Sequence, residues 1–141
     1  MIKQVPSQKL MKQADNVFGI ENPEEYTCFI EKYSAGLSRL RIKAYKGQFE
    51  PEEAMNLFFG GVCYFEGHVV WQGVNFTVGE PSEALELMRK VGWPEDTATN
   101  QIDISSIGLH LFKVKLPKCE VRIVAANAYW AVGIDWVDEE T

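Results

Sequence analysis

Two histidines and three cysteines are the chain's only candidates for an imidazole base, a thiolate nucleophile or a soft metal ligand. His68 stands in the turn-like Glu66-Gly67-His68, where it should meet solvent. His110 begins an alternation with Phe112, Val114 and Leu116, so its ring should point inward or into a pocket. Beside Cys63 or Cys119 it could lower a thiol pKa and create a nucleophile. The competing reading is a core histidine bonded to backbone, with Cys28, Cys63 and Cys119 as small buried apolar side chains. Nothing near His110 in sequence supplies a second catalytic group, so the structural reading is the expectation. Tetrahedral zinc wants at least three protein ligands, and no two His or Cys fall at ligand spacing, so no metal is expected. There is no glycine-rich phosphate loop, G-x-S-x-G, H-E-x-x-H or calcium loop, and no cofactor is expected.

Two further groups of residues could bind rather than react. Arg39, Arg41 and Lys43, with Tyr45, share one face of an alternating run. Such a ladder suits an anionic partner, and it equally suits an outer strand kept soluble by charge. Tyr64 and Trp71 lie among crowded aromatics (Phe58, Phe59, Phe65, Phe76) and fall on faces different from those of Phe65 and Val70. With His110 they could line a pocket; otherwise they form a second layer of core.

The elements that must position these groups can be read from periodicity. Ser7 to Asp15, with Leu10, Met11 and Ala14, reads as a short amphipathic helix capped by Ser7. Tyr26 to Tyr33 and Leu37 to Lys46 read as a hairpin, although Asn22-Pro23-Glu24-Glu25 also carries a helix-start signal. Glu50 to Phe58 and Glu80 to about Val91 read as two main helices, each led by its proline, with Gly60-Gly61 and Gly92 closing them. Their similarity (Glu-Pro-x-Glu-Ala) allows a duplicated strand-strand-helix unit; any Pro-led helix start would also produce it. Strands are expected over Val62 to Phe65, Val69 to Val78, Leu109 to Leu116, Cys119 to Ala126 and onward from Asn127 through Trp136, with Pro94 to Ser106 the longest loop. Leu40, Ile42, Val70, Val74, Phe76, Leu85, Leu87 and Ile134 are the expected core. The sum is a single α+β domain over 1–141: a mainly antiparallel sheet of about six or seven strands with two main helices and a short N-terminal helix.

Composition sets the outer limits. The 141 residues are 46% hydrophobic and 24% charged, too apolar for disorder and too poor in cysteine for a disulfide scaffold. No run approaches the roughly 18 apolar residues that span a bilayer, and the first residues lack a secretory apolar core. The net charge is −6, with the 1–47 segment at +3 and the remainder at −9. An acidic chain repels a phosphate backbone, which disfavours nucleic acid as a partner. Three cysteines cannot all pair within one chain and suggest reduced thiols in the cytoplasm. Together these features predict a non-enzymatic, cytoplasmic interaction or accessory domain that offers an acidic face to a protein partner, an immunity- or antitoxin-like inhibitor being one form. The alternative is a small enzyme or small-molecule-binding domain with a pocket around Tyr64, Trp71 and His110.

Overall fold

The computed structural model describes residues 2–12, 14–92 and 108–133. The expected 94–106 loop, the core position Ile134, the end of the last strand at Trp136 and the acidic tail lie outside the described residues. Within them the chain is α+β and dominated by sheet. Its elements are β1 (Lys3–Gln4), α1 (Ser7–Met11), β2 (Tyr26–Ser34), β3 (Arg39–Lys46), β4 (Met55–Gly60), β5 (Tyr64–Glu66), β6 (Val70–Gln72), β7 (Thr77–Val78), α2 (Pro81–Lys90), β8 (His110–Lys115), β9 (Glu120–Ala125) and β10 (Asn127–Val132). One sheet has the order β1-β10-β4-β3-β2-β6, the other β5-β9-β8-β7, and every pairing is antiparallel. No described helix is long and apolar enough to cross a membrane.

The two sheets share one core. Phe59 of β4 meets Phe112 of β8 with ring centroids 5.1 Å apart, and both are fully buried. Phe76 joins Phe59 at 5.2 Å, and Phe18 stands edge-on to both rings at 5.9 Å. Phe18 and Val17 come from the segment after α1, which the Val17 amide ties to the Phe76 carbonyl. On its far face the smaller sheet carries α2, whose Ala84, Leu87 and Met88 bury against Leu111 and Val124. The helix begins with a capping box: the Glu80 and Glu83 side chains satisfy each other's backbone amides, with Pro81 in the first turn.

The hairpin of β2 and β3 forms as its alternation requires, with Cys28, Leu40, Ile42 and Ala44 buried on one side. It holds one irregularity. Ile30 faces Ile42 and Lys32 faces Arg41, so Glu31 is the extra residue of a bulge. Beyond it the faces exchange, and Tyr33, opposite Leu40, turns to the core side.

Several expectations change. Glu50–Phe58 is not a helix. Its proline opens a single turn, with the Glu53 and Ala54 amides donating to the Glu50 carbonyl, and the chain then extends as β4. Met55 through Phe59 are buried on both faces between β3 and β10, and such a central strand reads as a continuous apolar run without a period to identify it. The described residues therefore hold one main helix rather than two. The two Glu-Pro segments do not repeat a strand-strand-helix unit. The expected 69–78 strand is two short strands in different sheets. Gly73, at φ +115°, takes the chain from one sheet toward the other through a conformation that side-chain-bearing residues rarely adopt. This division, with the short β1 and with β4 in place of a helix, brings the described residues to ten strands instead of six or seven. Val70, on the outer side of its edge strand, is exposed rather than core, while Val74 and Phe76 are fully buried. Leu85 packs at the margin of the α2 cluster, half-buried. Pro6, not Ser7, stands at the N-cap of α1.

Candidate functional site

The residues with catalytic potential are kept apart. His110 is half-buried on β8 beside Phe112, with ring centroids 6.5 Å apart, and borders a small recess formed with Leu10, Val78 and Pro81. Burial lowers its pKa, so the ring is neutral near pH 7. Cys119 lies in the turn at the Lys115 end of β8, about 17 Å along the strand from His110. Cys63 is held to Val124 on the far side of β9, about two strand spacings, or roughly 10 Å, from β8. Neither thiol–imidazole pair forms. All three thiols are free; Cys28 alone is buried, and Cys63 and Cys119 are exposed, against the expectation of three buried thiols. Burial pushes the Cys28 thiol up to about 12, and it donates to the Gly73 carbonyl at 3.3 Å. Cys63 is raised by the same cause, the opposite of an activated nucleophile. Among the described residues no group of three or more His, Cys, Asp or Glu could hold a metal ion.

Tyr64, Trp71 and His110 are not brought together. Trp71 is core: its indole N–H donates to the Gly73 carbonyl at 2.8 Å and its ring meets Phe76 edge-on at 6.4 Å. Register puts Tyr64 on the α2 side of the smaller sheet, opposite Val124, whereas His110 pairs with Ala125 on the inner side. The Tyr64 hydroxyl donates to Glu66 at 2.6 Å, and Glu66 faces Arg122 at 3.3 Å across the β5–β9 pair. That hydrogen bond, then Arg122, holds the Glu66 carboxyl below the usual carboxylate range; the same bond pushes the phenol up.

Tyr64 does border an apolar cleft. This opening of about 400 Å³ lies where the chain crosses between sheets, and Ile30, Tyr33, Leu40, Val62, Cys63, Tyr64, Phe65 and Val69 line it. Tyr33, Phe65 and Val69 leave large apolar surfaces in solvent around it, Val69 at 69%. Strand register explains its position. The β2 bulge turns Tyr33 toward the core side, β6 pairs with β2 only over Thr27 to Phe29, and β5 is the edge of its own sheet. Sequence reasoning finds Tyr64 and misses the rest. The available signal is Val62 to Phe65, a run apolar at both parities, which a half-exposed strand does not need.

The basic ladder occupies the outer face of the larger sheet, as its alternation predicts. Cross-strand pairs arrange that face in rows: Gly60 and Asn127; then Arg41, Phe58 and Tyr129; then Lys43, Asn56 and Ala131. Glu31 sits 3.6 Å from Arg41 and 3.4 Å from Lys43. Lys43 also donates to buried Asn56 at 2.6 Å, Asn56 donates to the Gly133 carbonyl, and Arg41 lies over the Phe58 ring at 5.4 Å. Arg41 and Lys43 therefore cover their own sheet as much as they address a partner. The acidic residues Glu24, Glu25, Glu50, Glu52 and Glu53 gather instead around the Lys46 end of β3, about 20 Å along the strand from the Leu40 end where the cleft opens. No protein-family model, curated protein or solved structure matches the chain.

Proposed function

We propose that the protein is a non-enzymatic interaction domain of the cytoplasm whose cleft receives an apolar segment of a protein partner. The observation that carries this reading is the cleft itself: about 400 Å³, walled by apolar side chains and rimmed by exposed Tyr33, Phe65 and Val69. Large apolar surfaces grouped on one side of a domain mark contact sites, and buried aromatics supply most of the energy in such contacts. The net charge of −6 favours partners that carry net positive charge. A second reading, an apolar small molecule in the same cleft, is favoured by the volume, which falls in the range of small-ligand sites.

The test places a photo-crosslinking side chain at Val69, at Phe65 or, as a control, at exposed Lys118 in the far turn of β8 and β9. One protein captured from positions 65 and 69 but not from 118 is expected. The purified pair should then lose at least about tenfold in affinity, some 1.4 kcal/mol, on Tyr33→Asp. Capture of small apolar molecules alone would move the conclusion to the second reading, and equal capture from all three positions would overturn the cleft as the site.

A further inference from the structure

We propose that the outer face of the larger sheet, at the Lys46 end of β3, is a docking surface for an arginine-bearing segment of a protein, separate from the cleft. Aromatic and acidic groups meet there. Phe29 of β2 and Tyr45 of β3 point outward, because their neighbours Cys28 and Ala44 are fully buried on the inner side. Phe49 folds back onto both from the loop after β3, its ring centroid 5.8 Å from that of Phe29 and 5.4 Å from that of Tyr45. Phe29 and Tyr45 stand 6.2 Å apart, and all three contacts are edge-to-face. Phe49 remains 38% exposed, and Val70, paired with Phe29 on the edge strand, 57%. Grouped apolar exposure of this kind marks a contact surface.

Charge complementarity names the occupant. Glu24 and Glu25 precede β2 beside the Gln72–Thr27–Tyr45 row, where the Gln72 side-chain amide donates to the Glu24 carbonyl at 2.9 Å. Glu50, Glu52 and Glu53 follow Phe49 on one turn, closed by the Glu53 amide on the Glu50 carbonyl. The lysines of this end are already engaged: Lys46 lies 3.8 Å from Glu25, and Lys43 meets Glu31 and Asn56. Glu24, Glu50, Glu52 and Glu53 are exposed and form no ion pair among the described residues. Like charges this close repel, and a cation seated among them relieves the repulsion. A guanidinium stacks on aromatic faces and pairs with carboxylates through its planar fork, so arginine serves both parts of the surface. A compact, strongly hydrated ammonium serves chiefly the charge.

The experiment titrates the full chain with the peptide acetyl-Gly-Arg-Trp-Arg-Gly-amide, its lysine counterpart and spermine, followed by NMR. The arginine peptide should shift the ring signals of Phe29, Tyr45 and Phe49 and bind about threefold or more tighter than the lysine peptide. Phe49→Ala should weaken it by about threefold or more. Glu50→Gln combined with Glu53→Gln should weaken it to a similar extent and flatten its salt dependence. Tyr33→Asp, in the cleft, should leave it unchanged. Thermal unfolding of each variant should stay cooperative; if Phe49→Ala does not fold, the double glutamine variant and the lysine peptide carry the test. Equal affinity of the two peptides, unchanged affinity in the folded variants, no shift of the three rings at millimolar peptide, or weakening by Tyr33→Asp would each overturn the proposal. Displacement of the arginine peptide by an equal concentration of spermine would make the occupant a free polyamine and overturn it as well.

Discussion

Glu50-Pro51-Glu52-Glu53-Ala54 and Glu80-Pro81-Ser82-Glu83-Ala84 make the same first turn. In each, the amides of the fourth and fifth residues donate to the carbonyl of the first, at 3.0 and 2.9 Å in the former and 3.0 and 3.3 Å in the latter. Five residues later they are different structures, a central strand and a helix. The residues after the turn decide between them. Leu85-Glu86-Leu87-Met88-Arg89-Lys90 places apolar groups on one stripe, uses good helix formers and ends with basic residues at the negative end of the dipole. Met55-Asn56-Leu57-Phe58-Phe59-Gly60 has apolar groups at both parities, two aromatics and a glycine, so only a strand covered on both faces buries them all. A Pro-led acidic start thus marks where a turn begins; the number of apolar stripes behind it determines what the turn becomes.

Substitutions can break this comparison, the most damaging first. Phe59→Ala removes the ring on which the two sheets and the Phe18 segment converge, and should cost about 3–5 kcal/mol in urea denaturation. A loss under about 1 kcal/mol would mean that the strand segment does not hold the core. Leu87→Ala in the helix segment, 6% exposed against a smaller cluster, should cost about 2–4 kcal/mol. A loss near zero would place the wrong helix face on the sheet.

Glu83→Gln sharpens the comparison at its shared position. Glu83 accepts from Lys113 at 2.7 Å and closes the capping box, and Lys113, then the Glu80 amide, hold its carboxyl below the usual carboxylate range. A depressed folded-state pKa stabilises fully above the unfolded value and progressively less as pH falls through the folded one. The variant should therefore be less stable than the parent by under about 1 kcal/mol near neutral pH, because the pair is partly solvated, with the gap closing below pH 4.5. A gap independent of pH between 3 and 7, roughly the window that matters for a carboxylate, would mean that the ion pair contributes nothing. Glu53→Gln, at an exposed position, should stay within about 0.5 kcal/mol. Smallest of all is the difference between isolated peptides 50–61 and 80–92. Helices this short are marginal in water, so circular dichroism should show weak helicity in the second and less in the first. Equal helicity would mean that tertiary pairing alone makes β4 extended.

Legibility in the sequence depends on how many faces each element exposes. The hairpin of β2 and β3, half-buried on one face, is legible residue by residue from Arg39 to Tyr45, and α2 from its single stripe. β4 reads wrongly as a helix because burial on both faces erases periodicity. The division of 69–78 between sheets is signalled only by Gly73, which a bulge would explain as well. Of the candidate site, Tyr64 is visible, while Tyr33 is hidden by the parity change at Glu31, since no residue type marks a bulge. Nothing adjacent in sequence reveals that Trp71 and His110 belong to different sheets, or that Tyr64 and His110 lie on opposite faces of one.

The bulge at Glu31 also bears on how concentrated copies of this chain treat one another. Past Ile30, β2 has no strand on the side away from β3 among the described residues, and a straight edge with unpaired amides is a template for a neighbour's strand. The extra residue bends and twists that edge and sets charged Glu31 and Lys32 at the point of approach. Deleting Glu31 would straighten the edge, leave Tyr33 opposite Leu40 and make the strand a seed for growth from one molecule to the next, visible as light scattering that rises with concentration where the parent stays clear.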